Sequence, residues 1–136
     1  MIFRFCLAPF LVLLLLLPTS EILAQAAIPE ITPEMAAQYI GKTVSITGEV
    51  MEQKKSSYGN LFLNFGGSYP NQVFSACALS KVFTNGIPPC EGALVRVSGT
   101  VKIYMQKPSI VLQSPTHLQV IRPADSPQQN RSAHVR

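Results

Sequence analysis

Two segments of the chain share one alternating pattern of apolar and polar residues. One runs from Gly41 to Val50 and the other from Gly92 to Val101. Both begin with glycine, carry apolar residues at alternate positions and place a second glycine after Thr or Ser. Strict alternation predicts a half-buried β-strand, and a glycine within such a strand often marks a bulge or a sharp bend. Two long, bent strands in a short chain therefore predict a small barrel.

Alternation of the same kind predicts the remaining strands. The predicted strands are 43–52, 61–65, 72–79, 94–105 and 109–113, followed by a short extended piece at 118–121. In the second strand, Leu61, Leu63 and Phe65 fall on the inward face. Phe62 and Asn64 fall on the outward face, so we expect an outward aromatic side chain at Phe62.

Residues 32–41 have the sequence features that begin and end a helix. Thr32 is placed as the N-cap, a proline follows at the first helical position, and Gly41 ends the segment. Met35, Tyr39 and Ile40 fall close to one face. We therefore expect a short N-terminal helix that covers one end of the barrel.

The N-terminal segment 1–26 has the order of features found in a secretory signal peptide. A basic start with Arg4 precedes an apolar run, and Ala24-Gln25-Ala26 forms a small-residue cleavage site. The alternative, an uncleaved membrane anchor, needs about 20 apolar residues, and this run is shorter. We expect cleavage before Ala27 and export, to the periplasm or outside the cell, with no stable membrane anchor after cleavage.

The rest of the chain divides into three parts. After a short lead at 27–31, residues 32–122 carry the predicted elements of one domain, a size that supports a modest core. Residues 123–136 are rich in Pro, Gln, Ser and Asn and have little to bury, which predicts a disordered tail. The net charge of +4 is compatible with binding to a polyanion and equally with ordinary solubility.

Two cysteines, Cys77 and Cys90, remain after the predicted cleavage site. Export to an oxidising compartment predicts a disulfide between them. The alternative is a buried free thiol at Cys77 and an exposed one at Cys90, because the sequence does not give the distance between their Cα atoms. A lone nearby His117 does not complete the four ligands of a zinc site, so we expect no metal.

Catalytic motifs are absent from the sequence. It contains no Gly-x-Ser-x-Gly segment and no phosphate-binding loop, and most of its acidic residues are widely spaced. We therefore expect a protein that is not an enzyme and needs no cofactor.

Three segments together resemble a known family. They are the strand Gly-Lys-Thr-Val-x-Ile-Thr-Gly-x-Val, the block Gly-Asn-x-Phe-Leu-Asn-Phe-Gly-Gly-x-Tyr-Pro-Asn-Gln-x-Phe and the segment Tyr-x-x-Lys-Pro-x-Ile-Val-Leu-x-Ser-Pro. With the short helix before them, they resemble the small exported bacterial OB-fold proteins described as nucleic-acid-binding-like. The resemblance covers residues 32–121. It implies an all-β, five-stranded OB-fold Greek-key barrel that binds ligands on the face of strands two and three. The chain departs from this plan because it lacks a clear helix between strands three and four.

The resemblance also implies a ligand-binding face. It would combine the loop after strand one, the outward side of strand two, the following loop and the hairpin of strands four and five. The residues are Lys54, Lys55, Tyr58, Phe62, Asn64, Tyr69, Lys102, Tyr104 and Lys107. Aromatic faces and cations suit single-stranded nucleic acid. Alternatively, each aromatic side chain has a structural role and the lysines are solvated loop charges.

Two functional hypotheses follow. The first is an exported, non-catalytic module that binds single-stranded nucleic acid or another polyanionic oligomer. The second is an envelope module that binds a protein or a glycan through the same face or a sheet edge. The low net charge and the absence of arginine from the proposed face favour the second slightly.

Overall fold

The computed structural model describes residues 27–124, and β-strands make up most of their regular structure. The strands are β1 (Glu30–Ile31), β2 (Thr43–Lys55), β3 (Leu61–Phe65), β4 (Phe74–Ala78), β5 (Leu94–Thr100), β6 (Lys102–Tyr104), β7 (Lys107–Leu112) and β8 (Leu118–Arg122). Two 3₁₀ helices, Pro33–Tyr39 and Pro115–His117, complete the regular structure. No helix among residues 27–124 is long and apolar enough to cross a membrane.

The strands form one sheet in the order β6-β7-β4-β3-β2-β5-β8, with β1 added beside β2. Neighbouring strands are antiparallel except for two parallel pairs, β1 with β2 and β4 with β7. Only Val101 separates β5 from β6 in the chain. The chain therefore continues directly from β5, near one end of the sheet order, to β6 at the other.

The long strand β2 lies at the centre of this arrangement, because it pairs with β3 through its second half and with β5 through its first. A shift of register between Val50 and Glu52 bends β2 where it changes partners. Gly48 lies just before the bend. A β-carbon at Gly48 would lie only 2.5 Å from Cγ of Pro33, so the absence of a side chain lets the first 3₁₀ helix pack directly on β2.

Apolar side chains from five of the strands fill the interior. The rings of Phe65 and Phe74 contact each other with centroids 5.4 Å apart. The largest fully buried side chains are Phe65, Phe74, Ile46, Leu63, Ile110, Leu112, Val44, Val50, Val95, Val97, Val101 and Cys90. The inward face predicted for 61–65 is correct at Leu63 and Phe65, whereas Leu61 is only partly buried.

The strand count differs from the predicted five. The predicted strand 94–105 is divided into β5 and β6, and two further short strands, β1 and β8, flank the others. β1 contains only Glu30–Ile31, which is too short for alternation to be detected.

The predicted signal peptide 1–26 lies outside the described residues, as does the predicted tail from residue 125 onward.

The predicted short N-terminal helix is a 3₁₀ helix, and its contacts differ from the prediction. Thr32 makes no side-chain capping hydrogen bond, and the buried residues are Pro33 and Ala36. Tyr39 is partly buried, whereas Ile40 is exposed. A segment of seven residues gains little from α-helical hydrogen bonding, so contacts with the barrel determine its conformation.

The predicted disulfide is not present, because Cys77 and Cys90 are both free and both buried. The alternative of an exposed Cys90 is also wrong. Cys90 belongs to the core, where its backbone N–H donates to Oε1 of Gln53 at 2.6 Å. Cys77 lies opposite Phe62 in the register of β3 and β4, on the outward face of the sheet. Cys90 lies on the core side, so the sheet separates the two thiols. Burial raises the pKa of both thiols.

Candidate functional site

A groove with a volume of about 190 Å³ lies on the outward face of β3 and β4. The end of β2, the loop after β3 and the β6–β7 hairpin border it. Six predicted ligand-binding residues line it, namely Lys54, Lys55, Phe62, Asn64, Tyr69 and Tyr104. Five lining residues were not predicted, namely Ser56, Gln72, Ser75, Met105 and Ser109.

Three of the predicted residues lie outside the groove. Tyr58 is 87% exposed at the tip of the β2–β3 loop. Lys102 and Lys107 lie on the β6–β7 hairpin, but their side chains do not line the groove. The β2–β3 loop and the β6–β7 hairpin thus border the groove, but only some of the predicted residues in these segments line it.

Two aromatic rings from different strands meet at one side of the groove. Phe62 on β3 and Tyr104 on β6 are stacked, with centroids 6.1 Å apart and ring planes at 21°. The predicted outward position of Phe62 agrees with this placement. Tyr104 is 54% exposed, so part of the aromatic surface remains accessible to a flat ligand.

The hairpin that carries Tyr104 has an unusual turn. Its two central residues, Met105 and Gln106, have φ values of 47° and 65°. Positive φ at both positions matches the right-handed twist of a tight hairpin, but it is strained for residues other than glycine. Such strain is often found at functional sites, and here it places Met105 at the border of the groove.

A third aromatic ring in the groove, that of Tyr69, contacts the cation of Lys54. The Lys54 ammonium lies 5.1 Å from the centroid of the ring, within the range of a cation–π interaction. The backbone N–H of Tyr69 donates to Oε2 of Glu52 at 2.9 Å, which fixes the loop to β2. This contact, the amide of Asn64 and the charge of Lys54 hold the pKa of Glu52 below its usual value, so this carboxyl is ionised at neutral pH.

Polar side chains form the floor of the groove. Among residues 27–124, four polar side chains are buried, and all four line this groove: Asn64, Gln72, Ser75 and Ser109. The Ser75 hydroxyl donates to Oδ1 of Asn64 at 2.7 Å, and Nδ2 of Asn64 donates to Oε2 of Glu52 at 2.7 Å. Oε1 of Gln72 is buried and makes no hydrogen bond within the protein.

The predicted strands contained a signal for part of this floor. Because Phe74 and Ala76 face inward, Ser75 must face outward, on the same side of the sheet as Asn64. The parallel pairing of β4 with β7 then places Ser109 next to Ser75. That pairing brings together residues distant in sequence, and it was not deduced from the alternation alone.

The groove thus combines three kinds of chemistry. Aromatic rings offer faces for stacking, Lys54 and Lys55 offer positive charge at the border, and the floor offers hydrogen-bonding groups. No group of three or more His, Cys, Asp or Glu side chains within residues 27–124 is arranged to hold a metal ion.

Comparison with solved structures identifies the fold. The chain is similar to a structure assigned as aspartyl-tRNA synthetase from Leishmania major Friedlin, with 14% identity, a TM-score of 0.51 and coverage of 79% of this chain and 23% of that one. It is also similar to asparaginyl-tRNA synthetase from Pyrococcus horikoshii, with 19% identity, a TM-score of 0.50 and coverage of 71% and 24%. No protein-family model and no curated protein sequence matches the chain.

These similarities and the strand pairing show that the chain has an OB-fold. The identities are too low to show more than the fold. The chain matches only about a quarter of the length of either synthetase. Function must therefore be argued from the groove.

Proposed function

We propose that this protein is an exported, non-catalytic OB-fold module that binds single-stranded nucleic acid through the groove on β3 and β4. The observation that carries the proposal is the grouping of stacked aromatic rings and lysines on one face. Bases of any sequence can stack on aromatic rings, and cations beside the rings follow the phosphate backbone.

Each part of the groove supports this assignment. Phe62 and Tyr104 offer a stacking surface, and Lys54 lies over Tyr69. The similar solved structures are enzymes whose names state that they act on tRNA. This support is an analogy at the level of the fold, so the weight of the proposal rests on the groove.

The proposal includes the finer architecture. We treat β5 and β6 as one strand bent at Val101. The N–H of Val101 donates to the carbonyl of Lys42, the residue just before β2, at 3.0 Å, so the hydrogen bonding between β5 and β2 continues to Val101. The barrel then has five principal strands in OB order, and β1 and β8 are additions at its margin. Relationship to the small exported bacterial OB-fold proteins, with residues 1–26 as a cleaved signal peptide, completes the proposal.

Anisotropy titration of the purified protein with labelled single-stranded oligonucleotides, at several salt concentrations, tests the function. Single strands give a salt slope of about −0.7 for each phosphate contact. Removal of both groove cations in Lys54→Ala/Lys55→Ala should therefore reduce the slope by about 1.4. The matched control is Lys42→Ala/Lys81→Ala, which removes the same charge at two exposed positions outside the groove and should leave the slope unchanged.

Substitution of the stacking residue separates the aromatic contribution from the charge. Phe62→Ala should weaken binding by about 1–3 kcal/mol, and the salt slope should stay the same because no cation is lost. Thermal melts of each variant establish that the barrel remains folded. An absence of saturable binding by the unmodified protein at low salt would refute the proposal and leave an envelope protein or glycan as the ligand class to test.

A further inference from the structure

The hydrogen bonds in the groove floor have a fixed direction. The ionised Glu52 can only accept, so Nδ2 of Asn64 is the donor between them. This leaves Oδ1 of Asn64 facing Ser75, whose hydroxyl donates to it. A serine hydroxyl has one proton. Ser75 therefore uses its proton inside the protein and presents only lone pairs to the groove.

Gln72 supplies a second acceptor. It is 6% exposed, it lines the groove, and its Oε1 has no hydrogen-bond partner within the protein. A buried polar atom without a partner is rare in folded proteins and calls for a physical explanation. Rotation about the terminal torsion of a glutamine side chain is soft, so the amide can turn its oxygen toward a ligand in the groove.

The size of the groove limits the ligand. Its volume of about 190 Å³ is smaller than the roughly 300–1,000 Å³ of typical small-molecule sites. A single flat ring system suits this space, and the aromatic side chains Phe62, Tyr69 and Tyr104 offer it stacking surfaces.

We infer that the groove is a pocket for one unstacked nucleobase and that Gln72 and Ser75 select guanine. This inference rests on the proposed nucleic-acid-binding function. Unpaired bases are recognised by hydrogen bonds to their edges together with stacking. The acceptors of Ser75 and Gln72 together favour a base whose edge carries adjacent donors. Guanine carries a ring N–H beside an amino group on one edge, whereas each of the other bases carries only one of these two groups there.

The experiment uses oligonucleotides that differ at one base. Ten-residue oligothymidylates with a central guanine, hypoxanthine, adenine or cytosine are titrated against the protein, together with the corresponding RNA set. Hypoxanthine is the matched control because it lacks only the 2-amino group of guanine. We expect guanine to bind about tenfold more tightly than hypoxanthine, a difference of about 1.4 kcal/mol.

Three variants assign the preference to residues. Gln72→Met keeps the length of the side chain and removes the amide, and Ser75→Ala removes the hydroxyl acceptor. Each substitution should reduce the preference for guanine. Gln119→Met makes the same change at an exposed position on β8 and should leave it intact. The salt slope should be unchanged in all three, because none alters a cation.

The possible results separate this inference from the proposed function. Binding of every oligonucleotide with equal affinity would overturn the guanine assignment and leave the nucleic-acid function standing. A guanine preference that survives both Gln72→Met and Ser75→Ala would overturn the assignment to these residues. Failure of all oligonucleotides to bind would overturn both.

Discussion

Replacement of Gly48 by alanine would put a methyl group at the closest contact between the first 3₁₀ helix and β2. The new β-carbon would lie 2.5 Å from Cγ and 3.0 Å from Cδ of Pro33, and 3.2 Å from Cδ1 of Phe65. The proline ring cannot rotate away, and Phe65 is fully buried. The helix or the strand must therefore move. Overpacking of this kind costs about 1–3 kcal/mol, a large part of the roughly 5–15 kcal/mol that stabilises a typical domain.

Thermal and urea unfolding measure this cost. For a domain of about 100 residues, 1 kcal/mol corresponds to a Tm change of roughly 4–8 °C, so we expect Gly48→Ala to lower Tm by roughly 4–24 °C. A double-mutant cycle identifies the cause. Pro33→Ala removes Cγ and Cδ, the atoms that would clash, so the two changes together should cost less than the sum of the separate costs, with a coupling of about 0.5–3 kcal/mol.

Gly86 provides the control for this cycle. It has a φ of +71°, and a β-carbon there would meet nothing within 4 Å. Gly86→Ala should therefore destabilise through backbone strain alone, and its cost should add to that of Pro33→Ala within about 0.5 kcal/mol. A Gly48→Ala variant that unfolds at the wild-type urea midpoint would contradict the packing argument. So would an equal coupling free energy of Pro33→Ala with Gly48→Ala and with Gly86→Ala.

Two further predictions concern acid stability and export. The pKa of Glu52 lies below its reference value of 4.5, so its ionised form stabilises the fold above that pH and this contribution is lost as the pH falls through the lowered pKa. Urea unfolding at pH 7 and pH 3 measures how much free energy of unfolding is lost in acid. This loss should be smaller in Glu52→Gln than in the unmodified protein, by less than about 1 kcal/mol because the carboxylate is partly exposed. An equal loss in the two proteins would contradict the prediction. For export, intact-mass measurement of protein recovered from the producing cell should give an N-terminus at Ala27, and retention of Met1 in the recovered protein would rule out cleavage.

Alternation predicted the barrel strands well where one face of the strand is buried. The strand 61–65 was located with its observed bounds, because Leu63 and Phe65 are core residues with polar or half-exposed neighbours. Alternation was less informative for strands that form backbone hydrogen bonds with a neighbour but bury neither face. The edge strand β6 is exposed along its whole length, so its separation from β5 at Val101 has no hydrophobic signal.

The groove contains six of the nine residues that the sequence analysis predicted to bind a ligand. Tyr58 in the β2–β3 loop and Lys107 at the start of β7 were included because they are near in sequence to the face, but neither side chain lines the groove. The turn of the β6–β7 hairpin uses two non-glycine residues with positive φ, which no turn motif in the sequence predicts. Neither prediction for Cys90, a disulfide with Cys77 or an exposed free thiol, is correct, because Cys90 is free and fully buried in the core.

The burial of β4 connects the fold to the groove. In a barrel strand with one solvated face, every second residue is exposed, but all five residues of β4 are buried. The outward side chains Ser75 and Cys77 are among these buried residues, and Ser75 lines the groove that the β6–β7 hairpin and the loop after β3 border. At Gln72 an apolar residue would serve stability at least as well, because an unpaired buried polar atom such as its Oε1 costs about 1–3 kcal/mol. Within residues 27–124, the four buried polar side chains, including the unpaired Gln72, all line the groove. The proposed binding of a hydrogen-bonding ligand accounts for that placement, whereas the stability of the fold does not.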